Sequence, residues 1–386
     1  MHIVILFINI GSYHAARLRA AYSACQKQDW SFTAVQLTDN TLEHNWGDLQ
    51  KEITFPLKTL FHEDDKFLNL EEASAVLPNF FDNLQPDVVV IPGWGFPVSR
   101  AALSWCKRHK VPAILMSETK WDDEQRYWWK EKLKFWLLIS KFDAALVGGK
   151  LHRDYLIELG FPRDRIFLGY DAVDNDYFAK QAEIARFDAV ETRRRNPQIP
   201  TKPYFIAVTR LLKRKNVFGL VQAFAAYHQQ IGNEQAWDLV ICGSGEEEPE
   251  IRNFIMEQKL QDAVHLPGFI PYQNIGDWYG LANAFVHPAL QEQWGLVLNE
   301  ACAAGLPVLC SQTVGARYEL IDHGRNGLLF DPESILDMTD ALKAIHQMDT
   351  DLRMKMGRIS QEIVENFSPQ VFADGLLKAI QTSLNG

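Results

Sequence analysis

Short apolar runs alternate with helix-patterned segments along almost the whole chain, and that rhythm constrains the fold more than any other feature. In the first half the runs 3–10, 32–37, 87–91, 113–116, 144–147 and 165–168 read as buried strands. Helical patterns over 15–28 and 99–108 lie between them. Strands that alternate with helices pair in parallel and need helices on both faces of the sheet. The rhythm stops at 192–203, a polar, basic stretch with three prolines (Pro197, Pro200, Pro203), which suits neither helix nor strand interior. It then resumes with strands expected at 204–208, 237–241, 264–266, 284–286, 308–310 and 327–330. Helices are expected over 217–230, 248–258, 335–347, 351–367 and 369–383. The expected organisation is a Rossmann-like domain over 1–190, a linker over 191–203 and a second Rossmann-like domain over 204–368.

The length of 386 residues also favours two cores over one. With 47% hydrophobic and 23% charged residues, the chain has the composition of a soluble globular protein. A net charge of −10 argues against nucleic acid as a partner, because phosphate binding requires a basic footprint. The five cysteines lie mostly inside apolar runs without C-x-x-C spacing, so buried free thiols in a reducing compartment are expected. No apolar run approaches the roughly 18 residues needed to span a membrane. The first strand lacks the charged start and cleavage site of a signal peptide, so a cytoplasmic location is expected.

Chemistry concentrates in Glu292-Gln-Trp-Gly-Leu-Val-Leu-Asn-Glu300. A Trp-Gly break precedes an apolar helical run that ends at Gly305 and leads into a strand. One carboxylate therefore sits at a helix N-terminus and the other about a turn and a half inside. Backbone N–H groups between them are free to bind an anion. An anion cradle flanked by two hydroxyl acceptors suits a nucleotide sugar. A helix-start charge and a buried ion-pair member would explain the same two residues.

Further segments follow in a fixed order. They are Val208-Thr-Arg210-Leu-Leu-Lys-Arg-Lys215-Asn, Ile241-Cys-Gly-Ser-Gly245, Pro267-Gly268-Phe269, His287-Pro288 and Glu292…Glu300. Ala303-Ala-Gly305-Leu-Pro307-Val and Glu319-Leu-Ile-Asp-His-Gly324-Arg-Asn-Gly327-Leu-Leu-Phe-Asp-Pro332 complete the series. This pattern resembles the retaining glycosyltransferase family 4 of the GT-B fold across essentially the whole second half. The first half matches less closely, through Gly11 after the first strand and Ala172-Val-Asp174-Asn-Asp-Tyr-Phe178. The resemblance implies two Rossmann-like parallel-sheet domains facing a central cleft, with the C-terminal helix (369–386) crossing back to the N-terminal domain.

The resemblance also implies residue roles. Arg210 and Lys215 would clamp the donor pyrophosphate, where charge-assisted bonds neutralise the leaving group. Glu292 would contact the hexose hydroxyls, and Glu300 would accept from the ribose hydroxyls. Gly295, Leu296 and Val297 would present backbone N–H groups to sugar and phosphate. Gly243 would let a turn pass close to the nucleotide, backbone near Phe269 would meet the base, and Gly11 would lie over the donor phosphates. His14 is a candidate for the acceptor side. Many relatives carry a histidine after the strand at 113–116, but this chain has Ser117-Glu118-Thr119-Lys120. Glu118 and Lys120 become acceptor-side candidates instead.

Two further features need a reading. Asp174-Asn175-Asp176 matches a metal-binding D-x-D, but it falls in the family's Val-Asp-x-x-x-Phe segment. A turn is expected there, with no catalytic metal and no cofactor. Residues 126–142 are rich in Trp and Lys. As a helix they fit either an interfacial element on anionic lipid or an amphipathic helix packed on its own sheet with snorkelling lysines. Packing is the expectation, because strands follow immediately. Peripheral membrane contact would instead imply a lipid-linked acceptor.

The expected activity is transfer of a hexose, with retention, from a nucleoside-diphosphate sugar to a hydroxyl in cell-surface polysaccharide, glycolipid or related glycan synthesis. An epimerase or phosphorylase of the same fold would convert donor without an added acceptor. A silent nucleotide-sugar-binding partner protein would bind donor and neither transfer nor hydrolyse it.

Overall fold

The apolar runs pair in parallel, as the alternation requires. In the computed structural model, which describes residues 1–39, 51–62 and 70–385, they form one seven-stranded and one six-stranded sheet. Two compact units result, Met1–Asp174 with Phe367–Gly386 and Asn175–Asn366.

The first unit starts with β1 (His2–Phe7), α1 (Ser12–Gln26), β2 (Ser31–Thr38) and β3 (Leu57–Phe61). It continues through α2 (Leu70–Leu84), β4 (Val88–Pro92), α3 (Pro97–His109) and β5 (Ala113–Ser117). Next come α4 (Trp128–Leu137), β6 (Ala144–Val147), α5 (Lys150–Leu159) and β7 (Ile166–Leu168). Strand order is β3-β2-β1-β4-β5-β6-β7. The order reverses direction between β1 and β4, which leaves a crevice at their carboxyl ends.

The second unit comprises α6 (Asn175–Phe187), α7 (Ala189–Arg195), β8 (Tyr204–Val208), α8 (Val217–Ile231) and β9 (Asp238–Cys242). Then come α9 (Glu248–Glu257), β10 (Val264–Gly268), α10 (Tyr272–Leu281), β11 (Ala284–His287) and α11 (Leu296–Ala303). The remainder is β12 (Val308–Ser311), α12 (Arg317–Leu320), β13 (Gly327–Phe330), α13 (Ile335–Gln347) and α14 (Thr350–Val364). Its order, β10-β9-β8-β11-β12-β13, reverses between β8 and β11. The last helix, α15 (Pro369–Leu384), belongs to the first unit. It buries Phe372, Leu376, Ala379 and Ile380 in one core with Ile3, Ile5 and Leu18. The expected return of the C-terminal helix is thus observed, with Gly386 outside the described residues.

The unit boundary differs from the expected one. It falls after Asp174, before the 191–203 stretch taken for a linker. The prolines begin only at Pro197, so α7 continues through Arg195, capped by the Asp188 carboxylate on the Glu191 N–H at 3.0 Å. The stretch is also tied to its own unit. Arg193 Nε donates to the Pro200 carbonyl at 3.0 Å, and Asn196 Nδ2 donates to Asp277 at 2.8 Å. Seven elements had no counterpart in the sequence reading: β3, α2, α5, α6, α7, α10 and α12. In α10, Gly276 and Gly280 mask the apolar spacing of Ile275, Trp278 and Tyr279. A Cβ on Gly276 would lie 2.5 Å from Gln181 Cβ and one on Gly280 would lie 2.6 Å from Ala185 Cβ, so these glycines serve close packing on α6.

The aromatic helix reverses its expected facing. Trp128, Trp129, Leu133, Trp136 and Leu137 are exposed, while Glu131 on the same helix is buried. Tyr155 Oη donates to Glu131 Oε2 at 2.5 Å, Lys134 Nζ donates at 2.9 Å, and Arg126 Nη1 lies 3.5 Å from Oε1. Burial alone would raise the Glu131 carboxyl, but these donors hold it below the ordinary carboxylate range. A satisfied buried carboxylate fixes which side of α4 faces inward, and the apolar side is left in solvent.

Candidate active site

The crevice of the six-stranded sheet lies between the loops that follow β8 and β11. The loop after β8 carries Arg210 and Lys215, and the loop after β11 carries Glu292. Backbone bonds clamp the two together, with the Leu290 and Gln291 N–H groups both donating to the Arg214 carbonyl at 2.9 and 3.2 Å. Lys215 Nζ consequently donates to Glu292 Oε2. The same oxygen accepts from His287 Nε2, 3.1 Å away at the end of β11. Nδ1 of His287 has no hydrogen-bond partner among the described residues. Arg210 is exposed beside this group, near enough for its charge to act on Lys215.

Electrostatics define the protonation states. Burial pushes the Glu292 carboxyl up, yet the His287 hydrogen bond and the Lys215 charge outweigh it and hold it down at about 2. Burial pushes His287 below its ordinary value against the pull of Glu292, so the neutral ring donates through Nε2. Burial also lowers the Lys215 ammonium, with Glu292 opposing the effect. Near neutral pH the group is therefore a carboxylate that shares one cation and one neutral imidazole. The carboxylate itself has no proton to give.

The residues after Glu292 are held as firmly. Trp294 is buried, and its Nε1 donates to Asn299 Oδ1 on α11 at 2.8 Å. The Gly315 N–H donates to the Glu292 carbonyl at 3.2 Å. Gly295 caps α11 with φ 101°, a left-handed conformation that glycine adopts without strain. Leu296 and Val297 open that helix, half-buried, at the end where N–H groups are unpaired within the helix. Glu300 lies deeper, 2% exposed, and its Oε2 accepts from Tyr279 Oη at 2.6 Å.

Gly243 has a purpose that the sequence did not reveal. At φ +150° its Cβ would lie 1.8 Å from the Thr209 carbonyl oxygen. The glycine turn packs onto the Arg210 loop, and Leu211 N–H donates to the Ser244 carbonyl at 2.9 Å. Gly243→Ala is therefore expected to displace that loop and to cost about 2–4 kcal/mol from strain and overpacking. Urea unfolding checks this, and an unchanged midpoint would contradict it. Phe269 follows β10 and is about half exposed.

The candidates of the other unit cluster at its own strand ends. Gly11 caps α1, and its N–H donates to His14 Nδ1 at 3.1 Å. Burial, helped by Arg17, lowers His14 to about 3. A neutral ring that accepts at Nδ1 carries its proton on Nε2, so His14 can donate to a ligand and cannot take its proton there. Glu118 is half-buried after β5. Lys120 does not face outward as an acceptor contact would require. It is 1% exposed, with Nζ on Asp122 Oδ1 at 2.7 Å and its N–H on Asp123 Oδ2 at 2.8 Å. Two adjacent carboxylates draw the ammonium into its own loop. Asp174 of the D-x-D accepts from Arg19 Nη2 at 2.7 Å, and Asn175 begins α6.

Residues 189–363 match the family described as glycosyl transferases group 1. Over this stretch, a little under half of the chain, the sequence is similar to that family. The group 1 region contains Arg210, Lys215, His287, Glu292 and Glu300. Curated relatives include the Escherichia coli K12 protein named as a colanic acid biosynthesis glycosyltransferase, WcaL, 27% identical over 63% of this chain and 58% of its own length. Another is the alpha-monoglucosyldiacylglycerol synthase of Acholeplasma laidlawii, 28% identical over 61% of each chain. The chain thus spans about three fifths of the length of these relatives. Among solved structures, Anabaena HepE in complex with UDP and glucose matches 99% of this chain and 100% of its own. Its TM-score is 0.75 at 16% identity, a likeness of fold, and both units are Rossmann-like as in the GT-B class. His287 and Tyr279 were absent from the expected site residues. The position of His287 at the end of a strand beside the reversal was a usable signal, whereas nothing in the sequence pointed to Tyr279.

Proposed function

We propose that this chain is a retaining glycosyltransferase of family 4 that moves a hexose from a nucleoside-diphosphate sugar to a hydroxyl acceptor. The observation that carries the reading is the Lys215–Glu292–His287 group at the β8/β11 reversal inside the group 1 region. The relatives named for colanic acid and glycolipid synthesis support a role in cell-surface polysaccharide or glycolipid assembly. The ligands of Anabaena HepE make UDP-glucose the first donor to try.

In this reading the bond from the anomeric carbon to the diphosphate oxygen breaks, and the acceptor oxygen bonds that carbon on the same face. The acceptor proton passes to the departing phosphate. Lys215 and Arg210 neutralise the charge that grows on the diphosphate, together with N–H groups at the start of α11. These cations take the part that a metal would play, so no metal or cofactor is invoked. Glu292 is anionic and accepts from hexose hydroxyls, while His287 and Lys215 hold its position. Glu300 takes the ribose, Gly295, Leu296 and Val297 line sugar and phosphate, and backbone beside Phe269 meets the base. Within the first unit, Gly11 is the candidate for phosphate contact, and His14 and Glu118 are the candidates for acceptor contact.

A panel of UDP-, GDP- and ADP-sugars tests this by thermal shift and by slow donor hydrolysis, with and without chelator. One donor class should raise the melting temperature and be hydrolysed equally in both conditions. Stabilisation without hydrolysis or transfer would favour a silent binder. Conversion of donor without an acceptor into an epimer would replace transfer by isomerisation.

A further inference from the structure

We propose that the outward face of α4, with the turn before it, docks on an anionic lipid bilayer. The inference stands on the first unit alone and does not depend on the transfer reading. Trp128 and Trp136 are 73% and 71% exposed, and Trp129, Leu133 and Leu137 each exceed half. Tyr127, just before the helix, is exposed as well. At a hundred degrees per residue Trp128, Trp129, Leu133, Trp136 and Leu137 fall on one continuous arc, and the buried Glu131 and partly buried Lys134 and Phe135 fall on the other.

The arc is held outward. Turning the tryptophans inward would break the Glu131 bonds to Tyr155 and Lys134 and drag a carboxylate into solvent past Arg126. The arrangement is therefore built in and does not await collapse onto the protein's own core. Large apolar patches left in water mark an interaction surface.

Its chemistry selects the occupant. Indole and phenol rings combine an apolar body with a polar edge and favour the lipid headgroup level. The indole N–H groups of Trp128, Trp129 and Trp136 donate to no described residue, which leaves them for ester and phosphate oxygens. Lys132 lies within the arc, between Trp128 and Trp136, and Lys130 at its edge sits 4.8 Å from the Tyr127 ring centre and 5.4 Å from that of Trp129. Glu131 is the one acid on α4, and it is buried and paired. The exposed charges of α4 itself are thus Lys130 and Lys132, while the two exposed acids of the preceding turn are paired, Asp122 with Lys120 at 2.7 Å and Glu124 with Arg126 at 3.2 Å. Lysines beside interfacial aromatics match an anionic surface.

Co-sedimentation of the full chain with phosphatidylcholine vesicles, with and without phosphatidylglycerol, tests the proposal. The wild type should bind the anionic vesicles about tenfold better, and added salt should weaken binding. Trp128→Ala with Trp136→Ala should reduce binding about tenfold with an unchanged melting temperature, since both side chains are exposed. Lys130→Glu with Lys132→Glu should erase the preference for anionic vesicles. Absence of wild-type binding, or equal binding by the tryptophan variant, would overturn the proposal. A wild-type dimer in sedimentation velocity that the tryptophan variant dissolves, without vesicle binding, would assign the face to a second copy instead. Donor-induced thermal shift should be the same in all variants, so failure here is distinguishable from failure of the transfer reading.

Discussion

Lys215→Ala is expected to lower the rate of transfer about a thousandfold, the scale of losing a preorganised charge at a developing anion. The ammonium is fixed before any ligand arrives, because Glu292 and the clamped loops hold it. Its removal takes away the charge meant for the leaving diphosphate and leaves the Glu292 carboxylate buried with only a neutral imidazole. A buried ion pair broken on one side costs about 3 kcal/mol or more. The variant should therefore melt at a lower temperature yet remain folded, since the pair lies at the rim of its sheet and outside the apolar core. Lys215→Arg should recover the melting temperature more than the rate, because a planar guanidinium does not reproduce a point charge. Circular dichroism with donor-hydrolysis kinetics separates the two effects. Wild-type turnover in Lys215→Ala would refute the assignment of the site.

Glu292→Gln should cost a similar factor in rate and also change the response to acid. The Glu292 carboxyl lies at about 2 in the folded protein against 4.5 ordinarily. Its contribution to stability is complete above the ordinary value and disappears as pH falls through about 2. Wild-type stability should thus decline between pH 4.5 and 2 partly through this residue, and the glutamine variant should show a shallower decline there. Its stability should be lower at neutral pH, since Lys215 would then be buried without a counter-charge. Burial works against Lys215 even in the wild type, so the pair's net worth is smaller than the carboxylate's share. Urea titrations across that pH window read the slope. Parallel acid limbs for the two proteins would remove Glu292 from the account.

How much of the site the sequence disclosed depended on the range of the contact. Gly295 as the start of a helix, and Glu300 a turn and a half inside it, follow from local chain chemistry and are where that chemistry puts them. The Lys215–Glu292 contact spans 77 positions, and no local rule forms it. His287 was visible as a motif but acquired a purpose only beside Glu292. Gly243 looked like a ligand-binding glycine, whereas its steric need arises from Thr209 on a neighbouring loop. Lys120 looked available until two adjacent carboxylates proved to hold it.

By itself, the sequence determined the alternation of strands and helices, hence two parallel sheets, because side-chain periodicity and turn residues act over a few positions. The tertiary structure decided the strand orders, which loops meet at each reversal, the boundary at Asp174, and the outward turn of the α4 tryptophans. Those features rest on desolvation. Whether Glu131 or Trp136 is buried depends on Tyr155 and Arg126 reaching the carboxylate, and only the folded chain brings such partners together.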